Sequence, residues 1–401
     1  MPFGPIFRAM TRNRARFFLV VAEVALTLAI VANCVSLIRE SNASLSRKSG
    51  FDDENLLWVG SRPFAEAFRE DNYLDAAIDA DVRTLRSIPG VAAASNTYLR
   101  PWSGGGSSTA VMIGETRYGT QIYPADLQVF ETLGVRVVQG RSFTQEEYDT
   151  VSDGSGAGVL PAVISQGLAD LIFPNPDAVG KILKNPDGSD AFRVVGVFDP
   201  FHNPYGYPIG DYCLFYPSRT GSFRGSSYLV RTEPGRALEM AAEIEQALLK
   251  SNNGRNVEIQ SIPEIRREFD ARDQAVVAAL NAVMVLLVVV TILGIVGITS
   301  FSVAERQRQI GTRRALGATR ADILRHFLLE NWMVTTFGAV LGLGLAYALN
   351  FGLVTMVEGA KIDPVILAVG VALLWVTGLG AALGPALRAA RVPPAIATRN
   401  V

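Results

Sequence analysis

The residues of this chain whose types and spacing could do chemistry lie in an arginine-rich segment at positions 305–318. It reads Glu-Arg-Gln-Arg-Gln-Ile-Gly-Thr-Arg-Arg-Ala-Leu-Gly-Ala. Cationic side chains beside apolar ones suit binding to another molecule rather than bond making. The pattern predicts a helix that lies along a membrane face and offers a surface to something in the cytoplasm. The apolar residues at roughly helical spacing, here and just beyond, are Ile310, Ala315, Leu316, Ile323 and Leu324.

Motifs for catalysis are missing from the sequence. A Walker A loop needs Gly-x-x-x-x-Gly-Lys-Ser/Thr, whose backbone amides and lysine hold phosphates, but the one Gly-Lys pair, at 180–181, is followed by isoleucine. There is no HExxH run, no Gly-x-Ser-x-Gly elbow and no cysteine pair at metal-ligand spacing. Acidic runs such as 52–54 are typical of a solvated turn. We therefore expect a chain that is not an enzyme and that holds no metal and no cofactor.

Long apolar runs must position the arginine-rich segment. Of the 401 residues, 49% are hydrophobic and 19% charged, which favours a membrane protein with a large soluble insertion. The net charge of −1 gives no electrostatic reason to expect nucleic-acid binding. A helix that crosses a bilayer needs ~20 apolar residues. Four segments meet this requirement, at 17–38, 275–303, 332–356 and 364–387.

The distribution of arginines predicts the orientation of these spans. Four arginines precede the first span, six lie in the connection 304–331, and three follow the last span, whereas the link 357–363 carries a single lysine and no arginine. Arginine-rich connections stay in the cytoplasm. We therefore expect an amphipathic N-terminal segment at 1–16, the loop 304–331 and the tail 388–401 to be cytoplasmic, with 39–274 and 357–363 outside.

Two residues in the first span have alternative interpretations. Cys34 follows a weak likeness to a lipoprotein cleavage box, but Asn33 stands where a small residue is needed, and the apolar run is long for a cleaved signal. An uncleaved anchor is therefore expected. Glu23 is costly in lipid unless it faces protein or an opposite charge. A buried hydrogen bond to another helix is favoured over a proton-relay role.

The region 39–274 has the pattern of a folded α+β domain. Strand-like, helix-like and strand-like runs follow one another near both of its ends, which predicts a split lobe at about 50–98 and 226–265. The second lobe is inserted at about 99–225, with one clear strand at 193–197. A glycine-rich run at 103–108 is expected to be a flexible loop rather than an anion cradle. An aromatic cluster is expected to pack in the lobe rather than contact a partner, namely Phe201, Tyr205, Tyr207, Tyr212, Phe215 and Tyr216.

Taken in this order, the motifs resemble the permease subunits of MacB-type ABC transporters, a group that includes FtsX-like and lipoprotein-releasing permeases. The family's cytoplasmic loop is close to Glu-Arg-x-x-Glu-Ile-Gly-x-Arg-Arg-Ala-Leu-Gly-Ala. The chain is similar to it throughout 305–318, except that Gln309 replaces the usual acidic residue. Other positions similar to the family pattern are 164–169, 173, 179–181, 194–197, 322–324, 328–330 and 385–391.

The resemblance implies partners and a coupling role. Such permeases work as two chains, identical or paralogous, with separate ABC ATP-binding subunits that hold ATP and Mg²⁺, in the inner membrane of bacteria. The loop would fit a cleft of the ATPase, with apolar anchors at 310 and 316, charge complementarity at 306, 313 and 314, and close backbone approach at the glycines. Simple membrane anchoring is the alternative for the arginines. The coupling residues implied are Glu305, Arg306, Ile310, Gly311, Arg313, Arg314, Ala315, Leu316 and Gly317.

The resemblance also leads to an expected function. The MacB branch predicts extrusion of antibiotics, peptides or lipid-linked substrates from the outer face of the inner membrane, with a periplasmic adaptor and an outer-membrane channel as further partners. An FtsX-like regulator that transmits the ATPase state to a cell-wall hydrolase, without transport, is the alternative. A membrane-anchored sensor without an ATPase is disfavoured by the loop. The large two-lobed insertion favours extrusion.

Overall fold

The computed structural model describes residues 14–104, 106–154, 158–173, 177–186, 191–203, 209–222, 224–357 and 362–393. Tyr205 and Tyr207, most of the N-terminal segment and most of the link 357–363 lie outside these ranges. The helices are α1 (Arg14–Leu45), α2 (Asp71–Ser87), α3 (Val129–Leu133), α4 (Gln145–Ser152), α5 (Gln166–Ile172), α6 (Ala237–Ser251), α7 (Ile262–Glu305), α8 (Gln307–Ala315), α9 (Arg320–Val357) and α10 (Pro364–Ala390). The strands are β1 (Leu56–Pro63), β2 (Val91–Asn96), β3 (Ser108–Ile113), β4 (Thr116–Ala125), β5 (Val137–Gly140), β6 (Val159–Ser165), β7 (Ile182–Lys184), β8 (Ala191–Phe198), β9 (Cys213–Pro217), β10 (Ser226–Thr232) and β11 (Arg255–Ser261).

The chain divides into two compact units. Met1–Ser46 with Asp273–Val401 form one unit, which we call the helical bundle, and Arg47–Arg272 form the other, the inserted domain. Four of the described helices, α1, α7, α9 and α10, are long and apolar enough to cross a membrane. The predicted fold class, four spanning helices with an α+β domain inserted between the first and second, is confirmed.

In the helical bundle, α1 packs closely against α9 because α9 carries small residues at the contact. A Cβ placed on Gly338 would lie 2.7 Å from Val24 Cβ, and one on Gly342 would lie 2.9 Å from the carbonyl oxygen of Ala25. This Gly-x-x-x-Gly spacing lets two helix backbones approach in lipid, where packing rather than the hydrophobic effect drives association. The α1–α9 contact therefore depends on the absence of side chains at these two positions.

Polar residues of α1 bind the neighbouring helices. Asn33 donates from Nδ2 to the carbonyl oxygen of Ala346 on α9, at 3.3 Å. Thr27 and Thr291 share a hydrogen bond of 2.8 Å between α1 and α7. Glu23 lies against α7, where a Cβ on Gly294 would come 2.7 Å from its carboxyl carbon. Glu23 accepts no hydrogen bond from the residues that the structure describes, so the favoured bond to another helix is not seen there.

The split lobe of the inserted domain is a four-stranded antiparallel sheet in the order β11-β1-β10-β2. Leu57 and Val59 of β1 point to one face, because strand side chains alternate, and pack against α2 and α6. On α2 the matching residues Ile78, Val82 and Leu85 recur at helical spacing and are buried. Both helices therefore cover one face of this sheet.

The second lobe of the inserted domain, which we call the inserted lobe, is a seven-stranded mixed sheet in the order β5-β8-β6-β9-β4-β3-β7. Phe201 and Phe215 are buried with Phe130 and Phe198 in its aromatic core, so packing is the correct interpretation of these members of the aromatic cluster. Cys213 is fully buried in β9, and burial raises the pKa of its thiol well above the usual range. Neither described cysteine forms a disulfide.

Candidate functional site: the arginine-rich segment 305–318

The segment 305–318 forms the short helix α8, separated from α7 by one residue. Arg306 leaves the helical conformation with φ −99° and ψ 10°, and α8 begins at the next residue. Gly317 ends it with φ +98°, a left-handed conformation that favours glycine. Thr319 and Asp322 then cap the start of α9 reciprocally, through bonds of 2.9 and 3.2 Å. The segment 305–318 and the residues just after it therefore encode the helix α8, its C-terminal end at Gly317 and the N-terminal cap of α9.

One face of α8 is buried against its own bundle. Ile310 is 4% exposed and belongs to an apolar cluster with Ile323 and Phe327 of α9 and Ala386 and Ala389 of α10. Gly311 is buried beside it. Ile310 was expected to offer an apolar anchor to a partner, whereas the structure buries its side chain within the bundle. Its side chain fixes α8 to α9 and α10, because the chain leaves Arg306 with this face turned inward.

Two of the three arginines expected to complement a partner's charge are bound within the bundle. Arg306 Nη1 lies 3.1 Å from both carboxylate oxygens of Glu330 on α9, and both side chains are largely buried. Arg314 donates from Nη1 to the carbonyl oxygen of Ala390 at 2.7 Å. That carbonyl is among the last of α10, which lack partners within the helix. These two arginines therefore hold α8, α9 and α10 together.

Glu305 is also engaged within the helical bundle. Arg16 of α1 donates to its Oε2 at 2.6 Å, and Glu305 is about half exposed. An exposed pair of this kind contributes little stability, typically about 0–1 kcal/mol. It still places the end of α7 beside the start of α1.

The opposite face of α8 is open. Leu316 is 84% exposed, so its whole side chain is accessible to a partner. Arg313 is exposed beside it, as are Ala315 and Gly317. Three further polar residues lie on this face, of which the sequence had drawn attention only to Gln309, as a departure from the family pattern. They are Arg308, Gln309 and Thr312, all exposed.

This open face has the composition of a docking surface. The face combines one large apolar side chain, Leu316, with two arginines, Arg308 and Arg313. Arginine is enriched among the residues that contribute most binding energy at interfaces. We call the exposed residues Arg308, Gln309, Thr312, Arg313 and Leu316 the coupling face. Glu330 was noted only as part of a motif, and its pairing with Arg306 became visible once both helices were placed.

Comparison with known proteins identifies the family of this chain. Residues 17–247 match the family model of the MacB-like periplasmic core domain, and residues 281–394 match that of the FtsX-like permease C-terminal domain. The chain belongs to the MacB/FtsX-like permease family. The resemblance drawn from the motifs is thereby confirmed, and family membership with four apolar helices indicates a multi-pass inner-membrane protein.

Two curated relatives of this permease illustrate the match. It is 28% identical over 404 residues to the macrolide export ATP-binding/permease protein MacB of Azoarcus sp. (strain BH72), covering 97% of this chain and 58% of the relative. It is 26% identical over 395 residues to MacB 1/2 of Paracoccus denitrificans (strain Pd 1222), covering 96% and 56%. The chain thus spans less than three fifths of these relatives.

Among solved structures, the periplasmic region of MacB from Actinobacillus actinomycetemcomitans is similar to this permease at 16% identity. That comparison covers 57% of this chain and 98% of the other, with a TM-score of 0.38.

Proposed function

We propose that this chain is the permease through which an ABC ATP-binding subunit drives conformational change in the inserted domain. The observation that carries the proposal is the coupling face, where Arg308 and Arg313 of α8 and Leu316 directly after it are exposed, while Ile310 packs the other side of α8 against the bundle. The sequence has no phosphate-binding loop of its own, so ATP and Mg²⁺ would be held by the partner. The coupling face would fill a cleft of that partner, and ATP-driven closure would move the bundle as a two-state switch.

The orientation forms part of the proposal. Arginines concentrate in the connection that contains α8 and at both ends of the chain, which supports cytoplasmic termini and a periplasmic inserted domain. On this topology the coupling face and the ATPase share a compartment.

A second permease chain completes the proposed assembly. Only 6% of the residues in the most apolar stretch of α7 are buried within the chain, against 56% for α1. Such a helix must face lipid or another helix, and a second copy or a paralogue of this chain would cover part of it.

Extrusion is the transport activity that we propose. The two relatives are named as macrolide export proteins, which supports export of antibiotics, peptides or lipid-linked molecules from the outer face of the inner membrane. A periplasmic adaptor and an outer-membrane channel would then receive the substrate. No feature of the described structure favours the FtsX-like regulatory alternative.

The proposal is tested by reversing the chemistry of the coupling face. Leu316→Asp and Arg313→Glu should each abolish co-purification with the ATPase and its stimulated ATP hydrolysis, while the permease still inserts and folds. Arg391→Glu is the matched control, since Arg391 is an exposed arginine just after α10 and off the coupling face. Undiminished ATPase binding in both coupling-face variants would disprove the assignment.

A further inference from the structure

A cleft of about 470 Å³ opens on the inserted domain. Its floor is the face of the four-stranded sheet that turns away from α2 and α6. Leu57 and Val59 pack under those helices, whereas their alternating neighbours Trp58 and Gly60 line the cleft. Tyr98, just after β2, and the segment before β10 form the walls. The volume lies in the range of small-molecule sites, roughly 300–1,000 Å³.

Two arginines of this cleft carry charge that no carboxylate balances. Arg100 lies over the Trp58 ring, 4.3 Å from its centroid, and donates to the neutral side-chain oxygen of Gln260. Neither Arg100 nor Arg224 forms an ion pair with any residue that the structure describes. Because the indole holds the guanidinium from behind, Arg100 is fixed in place without being neutralised.

A third arginine is partly neutralised. Arg62 at the rim pairs with Glu258 of the adjacent strand at 3.3 Å, and both side chains are well exposed. Glu258 faces the same side of the sheet as Gly60, its partner in the strand register. The lining of the cleft nevertheless keeps an excess of positive charge.

Glycines keep the floor and wall open. A Cβ on Gly60 would lie 3.0 Å from Cζ2 of Trp58, so a larger residue would displace the indole that supports Arg100. Gly225 has φ +149°, and its Cβ would lie 3.0 Å from the carbonyl oxygen of Ser61. Side chains at these positions would therefore disturb the geometry around the two unpaired arginines.

We propose that this cleft binds a small oxyanion carried on a polyhydroxylated ring, of which a sugar phosphate is the simplest example. Guanidinium groups bind phosphate and carboxylate oxygens through paired N–H donors. The Tyr98 ring, 59% exposed at the wall, offers an apolar face to a ring. Thr220 and Ser222 add hydroxyl groups that pair with those of a sugar. A soluble sugar phosphate and a phosphorylated lipid head group share this chemistry.

The test is calorimetric titration of the full-length permease in nanodiscs. Glucose 6-phosphate should bind, whereas glucose, which lacks the anion, should not. Arg100→Gln and Arg224→Gln should each weaken binding by about tenfold or more, as expected for loss of a charge-assisted hydrogen bond. Arg117→Gln is the control, since Arg117 is an exposed arginine on β4, away from the cleft. Arg100→Lys, which keeps the charge but not the planar stacking, guards against a folding defect and should bind weakly but measurably.

A second titration separates the two sources of ligand. Soluble short-chain phosphatidylinositol 4-phosphate should compete with glucose 6-phosphate if the head group of a lipid also fits. Failure of both probes to bind at millimolar concentration would overturn the proposal, as would equal binding by wild type and both glutamine variants. The site does not depend on ATPase coupling, so the Leu316→Asp permease should bind glucose 6-phosphate as wild type does. The two proposals can therefore fail separately.

Discussion

Ile310 lies on the buried face of α8 and Leu316, the residue that follows α8, is exposed, so truncating each to alanine should produce different defects. Ile310 is 4% exposed inside the cluster formed with α9 and α10, and Leu316 is 84% exposed. Replacing a buried isoleucine by alanine costs about 2–4 kcal/mol through lost contacts and the cavity left behind. A surface substitution such as Leu316→Ala stays within about 0.5 kcal/mol of wild type.

The stability cost of Ile310→Ala is measured as more frequent local opening of α8. By the relation of about 1.4 kcal/mol per tenfold, Ile310→Ala should speed amide hydrogen exchange in α8 by roughly 30- to 1,000-fold. Leu316→Ala should leave this exchange unchanged. If α8 of Ile310→Ala stays mostly folded, its affinity for the ATPase should fall by less than about twofold, because apparent affinity follows the competent fraction.

The effect of Leu316→Ala is measured as a change in the affinity of the permease for the ATPase. Losing the apolar contact of one leucine at an interface costs about 1–2 kcal/mol, so Leu316→Ala should weaken binding by roughly 5- to 30-fold. Biolayer interferometry with the permease in nanodiscs measures both variants. The reasoning is refuted if Leu316→Ala accelerates exchange in α8 while Ile310→Ala selectively weakens ATPase binding.

Two further predictions concern the bundle and its orientation. Gly342→Leu should separate α1 from α9 and lower the thermal stability of the purified protein, whereas Gly344→Leu, which points into open space, should have little effect. Equal melting curves for the two variants would contradict the Gly-x-x-x-Gly contact. An impermeant maleimide added to intact spheroplasts should label Glu115→Cys and not Arg308→Cys, since both positions are exposed but on opposite sides of the proposed topology. Cys213 should stay silent because it is fully buried, and labelling of Arg308→Cys alone would reverse the orientation.

The spans and the coupling segment were predictable because their signals are local. An apolar run long enough to cross a bilayer can be recognised without knowledge of the tertiary structure. The segment 305–318 likewise contains the glycine, Gly317, that ends α8. The inward and outward faces of α8 were not predictable. Ile310 and Leu316 are equally apolar, and the non-helical residue Arg306, which turns one inward and the other outward, has no special sequence signature.

The inserted lobe was less accessible to sequence reasoning. Only one strand could be placed there with a clear signal, at 193–197, whereas the sheet in the described residues has seven strands. The parallel pairing of β4 with β9 joins Gln121 to Cys213 across a long stretch of chain. Pairings of this kind depend on non-local contacts, and short strands carry weak periodicity. The cleft was missed for the same reason, since Arg100 and Arg224 line one cleft only after the sheet forms.

The hydrogen bond from Arg314 to the carbonyl of Ala390 has a mechanical consequence. It joins α8 to the end of α10, while Ile310 joins it to α9 and the break at Arg306 separates it from α7. A load applied at the coupling face would therefore pass first into α9 and α10. It would reach α7 only through the non-helical residue Arg306, whose side chain is itself paired with Glu330 of α9.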